Sequence, residues 1–123
     1  MVATDAGKKV LVKLSEMPFR TEIPNHEKAV AWALCNPEIC GNEDIKIVLT
    51  ELHPGGAALP HTHPYEHVYF FISGRATAKV NGVEYKVEPN CCLYIAPNVV
   101  HEAVVEGGET LRFLVVNGPT HAQ

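Results

Sequence analysis

The stretch GGAALPHTHPYEHVYFFISG, residues 55–74, decides how this chain is read. It opens, just after Pro54, on two glycines that signal a turn. That turn is expected to end the preceding run Ile45-Lys46-Ile47-Val48-Leu49-Thr50-Glu51-Leu52, which reads as a strand. At its centre stand His61 and His63, two residues apart. Side chains on a strand alternate with period two, so both imidazoles face the same side. His67 has the same parity, and Pro64 bends the chain so that all three rings can aim at one point. The stretch closes on Val68 to Ile72, a nearly all-apolar run that reads as a strand buried on both faces.

Working outward, Ala76-Thr77-Ala78-Lys79-Val80 and Val83-Glu84-Tyr85-Lys86-Val87 flank Asn81-Gly82. Asn-Gly between two alternating runs predicts a two-residue hairpin, because both residues tolerate positive φ. Cys92 to Ile95, Val99 to Val105 and Thr110 to Val116 supply three more strands, separated by Pro97-Asn98 and Gly107-Gly108. Upstream, Lys9 to Leu14 and Val30 to Leu34 also read as strands. Only Pro24 to Trp32 offers a helical alternative, kept short by Pro24 and Pro37. Eight to ten short strands without a long helix predict an antiparallel sandwich or small barrel.

With 123 residues, 46% hydrophobic and 20% charged, the chain is one ordinary domain with a packed core. No internal repeat or linker divides it. The expected organisation is a single domain over 1–123, with an N-terminal arm and first strands in 1–40 and the barrel in 41–117. No apolar run approaches the roughly 18 residues of a membrane span, and no signal-peptide core follows the N-terminus. The expectation is a soluble, cytoplasmic chain without membrane partners. Net charge is −4 and the ten basic residues are scattered, which argues against nucleic acid.

Four of the seven histidines, His61, His63, His67 and His101, carry the functional reading. His101 follows His67 by 34 residues, on a strand beyond a full hairpin, and is expected to close the site from across the barrel. Converging neutral imidazoles chelate Mn, Fe, Co, Ni, Cu and Zn. His26, His53 and His121 take the ordinary reading, surface or hydrogen-bonded residues. For acid–base work the candidates are a metal-bound hydroxide, Tyr69, which shares parity with His67, and Tyr94. The commoner role of Tyr69, Phe70, Phe71 and Phe113 is packing mass.

Residues 55–74 resemble the first signature of the cupin superfamily, G-x5-H-x-H-x3-E-x6-G. Gly55, His61, His63 and Gly74 are in register, and His67 falls where the family usually carries glutamate. The second signature, G-x5-P-x-G-x2-H-x3-N, matches at His101. Asn90, Ala96, Asn98 and Val105 stand at its Gly, Pro, Gly and Asn positions, and Pro97 is displaced by one. Asn is the commonest non-Gly residue at positive φ, so Asn90 and Asn98 can make the same turns. The resemblance covers residues 55–105. It implies an all-β, antiparallel double-stranded β-helix, or jelly-roll barrel, with a metal in its mouth. The spacings are similar to those of small single-domain cupins with an all-histidine, four-His site. By the same resemblance, dimerisation would cover unpaired strand edges, so a homodimer is expected.

Four neutral ligands would leave a divalent ion its full +2 charge, a stronger Lewis acid and harder to oxidise than with a glutamate. One divalent transition metal per chain is expected, Mn or Fe favoured, with Co, Ni, Cu and Zn as alternatives. Six-coordination would leave two adjacent positions for water, dioxygen or a chelating small-molecule substrate. The leading expectation is a metal-dependent oxidoreductase, dioxygenase-like, acting on a small unsaturated or enolisable molecule. An isomerase or lyase using the ion as Lewis acid, and a non-catalytic ligand-binding module with a structural metal, are the rivals.

Cys35 and Cys40 flank Asn-Pro-Glu-Ile, and Cys91 and Cys92 are adjacent. Neither pair has the C-x2-C spacing of zinc ribbons. All four are expected to be reduced and to act as small apolar residues in or near the core.

Overall fold

The computed structural model describes residues 7–119; His121 lies outside them. The described residues form nine strands, within the expected number. They are β1 (Phe19–Arg20), β2 (His26–Cys35), β3 (Lys46–His61), β4 (His67–Ser73), β5 (Arg75–Val80), β6 (Val83–Val87), β7 (Cys92–Ile95), β8 (His101–Glu106) and β9 (Leu111–Asn117). The sheet runs β6-β5-β8-β3-β9-β4-β7, with β2 also on β3 and β1 on β2, and every pairing is antiparallel. This curled sheet is all-β and antiparallel, as the strand pattern implied, and is the jelly-roll barrel that the resemblance implied.

The Asn81-Gly82 hairpin forms as expected, with Val80 opposite Val83 and both turn residues at positive φ, 50° and 82°. Asn90 and Asn98 adopt φ of 74° and 62°, the left-handed conformation expected of them. Gly74 is required for a second reason besides its φ of 84°. A Cβ there would sit 2.5 Å from the Thr110 carbonyl and 2.7 Å from Leu111 Cα. The backbone of the loop before β9 passes where any side chain would be.

The Pro54-Gly55-Gly56 signal does not end a strand. β3 continues through it to His61, because four residues, 53–56, bulge opposite the single Lys28 of β2. A Cβ on Gly56 would lie 2.6 Å from the Glu27 carbonyl, so two backbones pass there in near contact. The bulge lets one strand serve two parts of the barrel. Lys46 to Leu52 pairs with β9, and Ala57 to His61 pairs with β8.

Three other expectations are corrected. Lys9 to Leu14 is not a strand. Its backbone leaves the sheet, Lys9 N–H bonding the Ile39 carbonyl at 2.8 Å, and a short 3-10 turn follows at Leu14–Glu16. Pro24 to Trp32 is not helical, since β2 begins at His26. β4 is buried on one face only. His67, Tyr69 and Phe71 point inward, whereas Phe70 and Ile72 are each 41% exposed, because β4 lies in a single layer with its outer face open.

The core sits between the curled faces, filled by Phe71, Phe113, Leu52, Ile95 and Leu111. The four cysteines carry free thiols. Cys91 packs against the core, but Cys92 is exposed because adjacent strand residues face opposite sides. One short helix went unread in the sequence, α1 (Pro37–Cys40), although its start is marked. Asn36 caps it by accepting from Ile39 N–H at 2.8 Å, and Pro37 follows at the first helical position.

Candidate metal centre

His61 ends β3 and His101 begins β8, and the two stand directly opposite each other in that antiparallel pair. Opposed residues project from one face, so the rings meet, with centroids 4.3 Å apart. His101 therefore reaches the cluster from the neighbouring strand rather than from across the barrel. His63 follows in the loop after β3, its ring 4.7 Å from that of His61. The ligand-capable nitrogens of His61, His63 and His101 all lie within 4.8 Å of one another. His67, first residue of β4, stands behind this trio with its ring 4.6 Å from His63 and 5.2 Å from His101.

Hydrogen bonds on the far side of the rings set their tautomers. His101 Nδ1–H donates to the Val99 carbonyl at 2.9 Å, His61 Nδ1–H donates to the Leu59 carbonyl, and His67 Nδ1–H donates to Asn117 Oδ1. Each leaves its Nε2 as a bare lone pair, the form that binds a cation. Tyr65 stacks on His63 at 4.9 Å, its hydroxyl 3.3 Å from His63 Nδ1. Two of the nitrogens, His67 Nε2 and His101 Nε2, are buried without a hydrogen-bond partner. A buried unpaired polar atom costs about 1–3 kcal/mol, and a divalent ion held by these lone pairs would remove that cost. The residues present thus fit an imidazole-preferring transition metal.

Electrostatics point the same way. Burial, aided by the neighbouring imidazoles, lowers the pKa of His63 to about 4. Burial also lowers His67 to about 4, against the raising effect of Asn117, and shifts His101 down. At neutral pH these rings are uncharged and ready to ligate.

The cluster opens into a cavity of about 260 Å³. Tyr69, Phe113 and Val115 line it, and Tyr69 is 6% exposed with its ring 5.6 Å from His67. Burial pushes the Tyr69 phenol well above its ordinary pKa, so it stays protonated. Tyr94 is elsewhere. It stands opposite Val68 on the outer face, and its hydroxyl donates to Glu66 Oε1 at 2.7 Å.

Sequence reasoning missed several cavity residues, three of which bear on the site. His26 lies 5.7 Å from His61, oriented by Nδ1–H donation to the Pro24 carbonyl at 2.7 Å, and burial lowers its pKa. Asn117 and Arg20 also line the wall. No spacing rule links any of them to the His-x-His run. His53, by contrast, keeps its ordinary role, exposed and 3.3 Å from Thr110 Oγ1.

Residues 48–117 match the family described as Cupin domain, more than half of the chain. A curated relative, the tetracenomycin polyketide synthase protein TcmJ of Streptomyces glaucescens, is 24% identical over 119 residues, 95% of this chain and 80% of that one. The polyketide cyclase RemF of Streptomyces resistomycificus superposes with a TM-score of 0.78 at 24% identity, covering 89% of this chain and 79% of that one. A predicted oxalate decarboxylase from Thermotoga maritima does so with a TM-score of 0.78 at 18% identity, covering 89% and 99%. These superpositions show a common fold.

Proposed function

The chain belongs to the Cupin domain family, and on that premise we propose that it is a metal-dependent enzyme acting on a small enolisable molecule at a four-histidine centre. His61, His63, His67 and His101 would hold one divalent transition ion, Mn, Fe, Co, Ni, Cu or Zn, through their Nε2 atoms. The observation that carries this reading is the pair of buried, unpartnered Nε2 atoms on His67 and His101, beside two more imidazoles. A bound ion of undiminished +2 charge supplies Lewis acidity toward a carbonyl or enolate oxygen. No carboxylate lines the cavity among the described residues, and we assign the acid–base roles to His26 and Tyr69, two of its lining groups. His26 Nε2, its tautomer held by Pro24, would accept the proton α to a substrate carbonyl. Tyr69, kept protonated by burial, would donate a hydrogen bond to the oxygen on which charge develops.

Lewis-acid chemistry of an enolate is the class that would serve a cyclisation or isomerisation. That two relatives are a polyketide cyclase and a polyketide synthase protein supports placing it first. Oxidative, dioxygenase-like turnover of the same kind of molecule is the second reading, favoured by a cavity large enough for a second small reactant beside the cluster. The homodimer remains part of the proposal, and light scattering tests it.

The experiment has two readouts on untagged protein purified without chelator. Elemental analysis should find about one transition ion per chain. With 1-phenyl-1,3-butanedione in deuterated buffer, the loaded protein should accelerate α-proton exchange, and His26→Ala should abolish the acceleration while retaining metal. Oxygen uptake with that diketone would move the assignment to the oxidative reading. A chain that takes up no metal on reconstitution overturns both readings.

A further inference from the structure

We propose that the molecule turned over at this centre is an organic carboxylate, and that Arg20 at the mouth of the cavity binds its carboxylate group. Arg20 forms the two-residue edge strand β1 with Phe19, and it stands directly opposite Ala31 of β2. Ala31 is 4% exposed and lines the cavity. Directly opposed residues share a face, so the Arg20 side chain belongs to the inner face, at its rim. Its neighbour Phe19 takes the outer face and meets Trp32, ring centroids 6.5 Å apart.

The charge around Arg20 is one-sided. It is the single formally charged side chain lining the cavity among the described residues. A second cleft, about 160 Å³, shares Arg20, Ala31, Val48 and Asn117 with the cavity and adds Lys46, again without a carboxylate. Neither Arg20 nor Lys46 has an ion pair or side-chain hydrogen bond among the described residues. The whole chain carries 14 acidic against 10 basic residues, yet neither of the two clefts that Arg20 lines has a carboxylate in its wall among the described residues. Glu43 and Asp44 line a third cleft, which shares Tyr65 and Asn117 with the cavity and Lys46 and Asn117 with the second cleft, but Arg20 does not line it. An uncompensated guanidinium at the rim attracts an anion, and its planar fork matches a carboxylate in two parallel hydrogen bonds. The cavity's apolar lining, Val48, Phe113 and Val115 among it, suits a flat hydrocarbon body. The inferred ligand has a chelating oxygen end, an apolar middle and a carboxylate at the far end.

This assignment rests on the proposed metal centre, and the test separates the two. The probes are 4-(acetoacetyl)benzoate and its methyl ester, titrated calorimetrically into metal-loaded and metal-free chain. The loaded wild-type chain should bind the carboxylate about tenfold more tightly than the ester, as one charge-assisted hydrogen-bonded pair provides. Arg20→Gln should erase that preference with metal content unchanged, Arg20→Lys should keep part of it, and added salt should shrink it. Arg20 is exposed on an edge strand, so its replacement leaves the barrel intact. Equal affinities for acid and ester, no binding of either, or a preference that survives Arg20→Gln would overturn the assignment. An Arg20-dependent preference in a chain that binds no metal would sink the metal centre and uphold the carboxylate subsite.

Discussion

Asn117, last residue of β9, stands directly opposite His67, first residue of β4, and accepts its Nδ1–H across fifty residues of sequence. The strand pair thus delivers both the imidazole and the group that fixes its tautomer. Asn117→Ala should weaken transition-metal affinity about tenfold or more, the usual effect of removing such a partner. Asn117→Asp, which retains the acceptor, should lose much less. Competition titration with a chromophoric chelator distinguishes the two, and unchanged affinity in Asn117→Ala would remove His67 from the metal site.

Alanine substitutions read the ligand set directly. His61→Ala, His63→Ala and His101→Ala should each cut metal content sharply, and His53→Ala, on the outside, should leave it full. His67→Ala decides between three and four ligands. A loss matching the other three supports the tetrad, and full retention leaves the trio alone.

The metal-free protein should lose stability as pH falls from about 6.5 toward 4. His63 and His67 stay neutral in the fold down to about pH 4 but would take up protons near 6.5 once unfolded. The unfolded state therefore binds more protons inside that window, and acid favours it. Above the window these groups make no pH-dependent contribution. Thermal melts at successive pH values should show this slope, and the double variant His63→Gln, His67→Gln should flatten it. An equally steep slope in the variant would trace the acid lability to other groups.

Two glycines with nearly equal φ separate backbone strain from steric conflict. Gly82→Ala meets open space at φ 82° and should cost about 1–2 kcal/mol. Gly74→Ala, at φ 84°, adds a clash with the Thr110 carbonyl and Leu111 backbone and should cost about 3 kcal/mol or more. Chemical denaturation of both variants gives the comparison. Equal losses would mean that the backbone before β9 yields freely.

Much of the barrel was legible because its signals are local. The Asn81-Gly82 turn between β5 and β6 and the positive φ of Asn90 and Asn98 follow from residue type and its nearest neighbours. The errors came where neighbours in space outweighed neighbours in sequence. Pro54-Gly55-Gly56 looks like a turn in isolation. Held against β2, where Lys28 yields to four residues, it becomes a bulge inside a 16-residue strand. Val68 to Ile72 looks buried on both faces, yet only the inner face has a partner layer.

The sequence by itself determined the strand periods, the hairpin and the three imidazoles of one parity in the His61–His67 run, since each depends on a few consecutive residues. The tertiary structure alone decided that His61 and His101 are opposed partners, that Asn117 holds His67, and that His26 and Arg20 face the same cavity. Those juxtapositions depend on strand register between distant segments. Register is set when a whole face packs into the core, because a slip of one residue would turn every side chain to the other side.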